Sequence, residues 1–237
     1  MAASMTNADV VLPGDVLTDR LKEITNKKVR LGPGLRWQSK DVVACKCGVL
    51  KSREDHAFWI DNHQRRYIPA KGESIIGVVS LKAGDIFRVN IGSNLPAALS
   101  YLSFEGATKR NRPNVQIGDL VYAKLLVANR DMEPELVCID GSGQSNGLGV
   151  LSREGFMFKC SLHLCRKILS PDCSLLRVLG KKIPLEVTVG MNGRIWLRCR
   201  SVNDTICAMN AILAAEYTPE QNLKSMVYKI FGGVAAV

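Results

Sequence analysis

EVTVGMNGRIWLRCR, residues 186–200, sets Gly190-Met191-Asn192-Gly193 between two apolar runs. Two readings compete for it. Gly-x-x-Gly is a spacing with which a loop clamps a nucleic-acid backbone, its amides approaching phosphates with no Cβ in the way. Asn-Gly between alternating apolar residues is also a strong hairpin signal, because both residues accept the positive φ of a two-residue turn. The flanks favour the hairpin. "PLEVTV" and "RIWLRC" read as strands, and Met191 and Asn192 bring no positive charge to a phosphate. Gly190, Met191, Asn192 and Gly193 are therefore expected as a structural turn.

Working upstream, "SLHLCRKIL" and "CSLLRVLGKK" read as helices separated by Ser170-Pro171-Asp172, with Ser161 and Asp172 as expected N-caps. "LGVLSREGFMFKC" reads as a hairpin before them. Downstream, "SVNDTICAMNAILAAEY" and "PEQNLKSMVYKIF" read as helices, with Pro219 in the first turn of the last. Leu213, Leu223, Met226, Val227 and Ile230 form their apolar faces. The order β-β-α-α-β-β-α-α predicts an α+β domain over residues 143–237.

That domain follows "GSGQSNG", residues 141–147, whose composition is that of a linker. Before it, residues 70–142 hold five short strands: "ESIIGVVSLKAG", "DIFRVNIG", "AALSYLSF", "LVYAKLLVAN" and "PELVCID". A long polar loop separates the third from the fourth. This pattern predicts an OB-type barrel, which closes its own edges, with Gly77 and Gly84 at sharp bends. Residues 1–69 predict a small β-sheet unit. Its signals are a Gly32-Pro33-Gly34 turn, a strand "VVACKCGVLK" ended by Gly48, and two short strands around Asp61-Asn62. The expected fold class is thus multidomain: β, then a five-stranded barrel, then α+β.

The 237 residues carry a formal charge of +10, distributed as +4 over 1–70, 0 over 71–140 and +6 over 141–237. A basic excess favours polyanionic partners or acidic protein surfaces. No apolar run reaches membrane-spanning length, and the N-terminus lacks a basic start and an apolar h-region, so neither a membrane nor a secretory signal is expected. Eight cysteines without such a signal point to reduced thiols in a cytosolic or nuclear protein. Cys45-x-Cys47 is too tight for a usual zinc pair, and Cys160, His163, Cys165 and Cys173 are irregularly spaced across an apolar segment. No metal and no cofactor are expected.

The loop Thr108–Pro113 has the highest basic density of the barrel segment, and Lys109, Arg110 and Arg112 are its candidate phosphate contacts. OB-type surfaces stack bases on exposed rings, which nominates Tyr101 among Phe87, Tyr101 and Phe104, with Lys82 and Arg88 beside it. Arg65, Arg66 and Lys71 mark the junction between the first two segments. Trp37, Trp59 and Trp196 are expected in cores or subunit contacts. A nuclease needs carboxylates converging on metal ions or a histidine pair. Asp85, Asp119, Asp131 and Glu133 sit at turns with no paired pattern, and there are only three histidines, so no catalytic residue is expected. Composition alone leaves a ribosome- or translation-associated RNA-binding protein open.

Taken together, "VRLGPGLR", "FWIDNHQRRYIPAKGE", "VSLKAGDIFRVNIGS", "LSYLSFEGATKRNRP", "GDLVYAKLLVANRDMEPELVCID" and "VGMNGRIWLR" resemble the exosome component 3 family, the S1/KH cap subunits of the eukaryotic RNA exosome. The similarity runs from about residue 9 to beyond residue 200. It implies an N-terminal β domain, a central S1 domain and a C-terminal KH-type domain. It also implies a non-catalytic subunit seated, with other S1/KH cap proteins, on a ring of RNase PH-like subunits. RNA would pass it, largely regardless of sequence, toward a separate 3′–5′ exonuclease. A homo-oligomer is not expected, and the implied location is nucleus and nucleolus, also cytoplasm. KH domains place Gly-x-x-Gly between consecutive helices. Here the helix–helix loop is Ser170-Pro171-Asp172, and the Gly-x-x-Gly stands elsewhere.

Overall fold

The computed structural model describes residues 10–24, 29–53, 56–129 and 131–234. The chain forms two compact units, 1–63 and 64–237.

In the first unit, β1 (Val10–Val11), α1 (Thr18–Ile24), β2 (Arg30–Leu31), β3 (Leu35–Gln38), β4 (Asp41–Ala44), β5 (Gly48–Arg53) and β6 (Ala57–Asp61) follow one another. They make a four-stranded sheet, β1-β5-β6-β2, and a separate β3-β4 hairpin. Val11, Leu17, Leu21, Val42, Phe58 and Ile60 form the core. Gly32-Pro33-Gly34 turns as expected, with Leu35 N–H donating to the Gly32 carbonyl at 3.4 Å. "VVACKCGVLK", expected as one strand ended by Gly48, is instead two. β4 stops at Ala44 and β5 starts at Gly48, where a Cβ would lie 2.3 Å from the Asp61 carbonyl oxygen. Only a glycine lets β5 begin so close to β6. Trp37, on β3, is 57% exposed rather than part of this core.

The expected strand after Asn62 does not form, and residues 64–73 run without regular structure. Tyr67 instead puts its ring into the core of the second unit, and its hydroxyl donates to Glu73 at 2.6 Å.

The second unit begins with β7 (Ser74–Ala83), β8 (Ile86–Asn90), β9 (Ala97–Ser100), a 3-10 turn at Tyr101–Ser103, β10 (Leu120–Val127), β11 (Glu135–Val137) and β12 (Gly149–Val150). The antiparallel meander β7-β8-β9 is closed by β11, parallel to β9, and by β10, which pairs with both β11 and β7. This is the predicted five-stranded barrel. Phe87 and Val89 point inward while Ile86 and Asn90 stay exposed, as their alternation predicted.

The Gly/Ser-rich stretch 141–147 is not a linker between domains. It joins two strands of the barrel sheet and is tied down along its length. Asp140 N–H donates to the Gln144 carbonyl at 2.8 Å, and Ser145 N–H donates to Glu105 Oε2 at 3.0 Å. The expected hairpin over 148–160 is corrected as well. Val150 pairs with Val121 of β10, so β12 belongs to the barrel. The edge of β10 beyond β11 offers backbone groups that β12 satisfies. Arg153, anchored on Asp119 at 2.9 Å, then fixes the chain as it leaves the barrel.

The rest of the unit is β13 (Phe156–Lys159), α2 (Leu162–Leu169), α3 (Leu175–Lys182), β14 (Leu185–Gly190), β15 (Arg194–Cys199), α4 (Val202–Ala214), a 3-10 turn at Glu220–Asn222 and α5 (Leu223–Val234). The sheet order is β13-β15-β14. Its core joins Phe158, Ile195 and Leu197 to Leu164, Leu179 and Ile212 of the helices. Ser161 caps α2 as expected, accepting from Leu164 N–H at 3.0 Å. Asp172 does not cap α3. Ser174 holds that position, and its N–H and hydroxyl both donate to Glu220 Oε1 at 2.7 Å. A carboxylate from another element thus does the work expected of Asp172.

Candidate nucleic-acid interface

The turn between β14 and β15 has three residues, not the two expected. Gly190 pairs with Arg194, and Gly193 takes φ +76°. Asn192 does not adopt positive φ; among the described non-glycine residues only Ser39 and Asn146 do. This is the three-residue hairpin arrangement, closed by a left-handed glycine. A Cβ on Gly193 would lie 2.8 Å from the Cys160 carbonyl oxygen, so the tight fit and the φ both select glycine.

The turn is also more than a turn, because it extends the barrel sheet. Val79 and Glu73 of the β7 edge hydrogen-bond toward β10, so at a period of two Ser74 and Ile76 direct their peptide groups the other way. On that side β8 has ended: its pairing with β7 reaches only Val78↔Asn90. The β14–β15 turn occupies the place. Met191 N–H donates to the Ser74 carbonyl at 2.9 Å. Asn192 Oδ1 accepts from Ile76 N–H at 3.2 Å, and its Nδ2 donates to the carbonyls of Ile76 and Ile91, each at 2.8 Å. A primary amide carries the same donor and acceptor as a peptide unit. Asn192, only 7% exposed, therefore stands in for the missing strand residue.

Arg194 locks the same joint. Its Nη1 donates to the carbonyls of Asn90 at 2.6 Å and Ile76 at 3.2 Å, and its Nη2 to Asn90 Oδ1 at 3.0 Å. It is 6% exposed, and burial pushes its guanidinium below its ordinary value. A second brace lies in the connecting segment. Arg153 bonds to Asp119 of the barrel, while its neighbour Glu154 bonds to Arg198 of β15 at 2.6 Å. Barrel and α+β domain are thus fastened at two points. A Gly-x-x-Gly engaged in this way is bonded to the barrel, and the α2–α3 loop contains no glycine.

The basic rim lies on the barrel. The loop 104–115 is shaped by Asn111, whose N–H donates to Thr108 Oγ1 at 3.0 Å and whose side-chain amide donates to the Gly106 carbonyl at 3.2 Å. Lys109 and Arg110 project from it, exposed. Arg112 folds back, ion-paired with Asp85 at 3.1 Å and lying over the Tyr101 ring at 4.8 Å. Lys82 stands 5.5 Å from the Phe87 ring on the β7–β8 hairpin, whose turn residue Asp85 takes the Arg112 ion pair. Arg88 does not join them as a free cation, since it is ion-paired with Glu133.

Tyr101 requires a correction. It is 6% exposed, sealed beneath Arg112, and serves the core rather than offering a face on which a base could stack. Outward positions nearby belong to Leu81, Ile86 and Leu102. Their aliphatic side chains supply no stacking surface, and Phe104, the remaining ring beside Phe87, is partly buried and packed edge-on against it at 6.4 Å. Arg66, one of the junction cations, donates to Asn94 Oδ1 at 3.0 Å, while Arg65 and Lys71 are exposed. The Cys160 and Cys165 sulfurs lie 3.3 Å apart, and among the described residues no three metal-ligating side chains gather.

Comparison with known proteins agrees with this domain order. Residues 9–63 match the model of the mammalian exosome complex component RRP40 N-terminal domain, 67–149 that of the RRP40 S1 domain, and 155–203 that of a KH domain. The human exosome complex component RRP40 is 47% identical over 86% of this chain and 76% of its own length. The Drosophila melanogaster protein of that name is 49% identical over 91% of both chains. The chain belongs to the RRP40 family of exosome complex components. RRP40 of Saccharomyces cerevisiae is 34% identical over 78% of this chain and 81% of its own. A crystal structure provisionally described as an exosome complex RNA-binding protein superposes with a TM-score of 0.58. It is 25% identical and covers 70% of this chain and 95% of its own. In this RRP40 family member the sequence reading missed the part played by Asn192 and Arg194. The one signal was Arg194, a charged residue directly after the turn and ahead of the apolar run Ile195-Trp196-Leu197.

Proposed function

We propose that this chain is a non-catalytic, RNA-binding cap subunit of the exosome. It sits with related S1/KH cap subunits on a ring of RNase PH-like subunits and helps to hold that ring together. It lines the opening through which RNA reaches a separate 3′–5′ exonuclease, in the nucleus and nucleolus and also in the cytoplasm. The observation that carries the RNA-facing part is the exposed pair Lys109 and Arg110 on a loop braced by Asn111, at a barrel end where Tyr101 is sealed under Arg112. Such a rim draws in phosphates and leaves bases unread. The two-point fastening of barrel to KH domain supports a scaffolding role, since it makes one larger body for neighbours to seat against.

The test is Lys109→Glu/Arg110→Glu in the reconstituted complex, read as RNA protection across salt concentrations. Assembly should persist and protection should weaken for all sequences alike. The log–log salt slope should fall by about 0.7 for each phosphate that is no longer neutralised. Equal protection and equal slopes would remove these residues from the RNA path. Recovery of ribosomes rather than ring subunits by the tagged chain would overturn the exosome assignment.

A further inference from the structure

The strongest group of unpaired cations in the described chain is not on the barrel but on two helices of the KH domain. α3 and α5 pack side by side, and neither contains an Asp or Glu. On α3 the exposed residues are Arg177, Gly180, Lys181 and Lys182. On α5, as far as residue 232, they are Lys224, Ser225, Tyr228, Lys229 and Gly232. The two sets meet at a seam where Lys182 Nζ lies 4.2 Å from the Tyr228 ring, and Tyr228 remains 54% exposed. Among the described residues, Arg177, Lys181, Lys224 and Lys229 have no ion-pair or hydrogen-bond partner. By contrast Arg88, Arg112, Arg153 and Arg198 are each committed to a carboxylate.

Five like charges gathered on one pair of helices repel one another unless a polyanion neutralises them. A protein partner would need an apolar centre to the contact, and among the described exposed residues of these two helices Tyr228 is the one large apolar side chain. Cations around a half-exposed ring are what a single-stranded nucleic acid uses: phosphates on the cations and a base on the ring. We propose that the outer face of α3 and α5 is a second phosphate-binding track for single-stranded RNA, with Tyr228 as its stacking ring. This track is separate from the barrel rim and does not use the Gly-x-x-Gly.

The test uses the full chain and a labelled oligouridylate, with affinity measured across potassium chloride concentrations. Lys181→Glu/Lys182→Glu/Lys229→Glu should lower the log–log slope by about 2, three phosphates at roughly 0.7 each. The three Lys→Gln changes should lower it similarly, at an unchanged melting temperature. Tyr228→Ala should weaken binding about tenfold at fixed salt, and ultraviolet cross-links should map to residues 223–231. Lys109→Glu/Arg110→Glu should leave those cross-links in place. Unchanged slopes and affinities in the helix variants would overturn the proposal. So would an oligoglutamate of matched charge displacing the RNA equally well, which would make the face an acidic-peptide site.

Discussion

Replacing Asn192 tests whether its amide truly stands in for a strand residue. In Asn192→Ala, Ile76 N–H and the Ile91 carbonyl lose the partner described above, while the Ile76 carbonyl keeps Arg194 Nη1 at 3.2 Å. Two buried backbone groups are orphaned. At roughly 1–3 kcal/mol for each, the loss is about 4 kcal/mol. For a cooperative unit of this size each kcal/mol moves the midpoint by about 2–4 °C, so Tm should fall by roughly 8–16 °C. Asn192→Leu separates hydrogen bonding from volume, because it fills the same space and restores neither bond. Calorimetry gives the midpoint, and amide exchange at Ile76 reports the joint directly. If Asn192→Leu melts within about 2 °C of wild type, with Ile76 still protected, the amide is mere filling and the reasoning fails.

Gly193→Ala should destabilise by about 1–2 kcal/mol in urea titration, since the residue is held at φ +76° and the new Cβ meets the Cys160 carbonyl at 2.8 Å. Lys167 Nζ donates to the carbonyls of Ala215 and Thr218 at 2.6 and 2.8 Å, closing the end of α4, and Lys167→Met should cost about 2 kcal/mol by the same titration. Burial pushes the Cys138 thiol from 9.0 up to about 12. The unfolded chain therefore releases that proton first as pH rises, and the contribution, complete below pH 9, is lost between 9 and 12 at up to about 1.4 kcal/mol per unit. The stability–pH slope of Cys138→Ala should be flatter than wild type over that window, and identical slopes would contradict the burial argument.

The sequence by itself determined the five barrel strands β7 to β11 and, in the α+β domain, the helices α2 to α5 and the strands β14 and β15, in their order. Alternation set Phe87 and Val89 into the barrel, helical spacing set Leu164 and Leu179 into the α+β core, and Ser161 marked the start of α2. These are local properties: a period of two or 3.6, or a cap three residues from its donor, is complete within a few residues of chain. What lay beyond that range was decided by the tertiary structure. The linker reading of 141–147 failed because Gly and Ser give the same composition whether a segment is free or bonded to Glu105, 40 residues away. Tyr101 and Tyr228 are the same residue type beside basic neighbours, yet one is sealed under Arg112 and the other left half open, and only the folded neighbours distinguish them. The Gly-x-x-Gly shows the limit most plainly. Its turn was legible, since Asn-Gly between apolar runs is a local signal. Its work was not, because the vacancy Asn192 fills is created by the end of β8, about a hundred residues earlier in the chain.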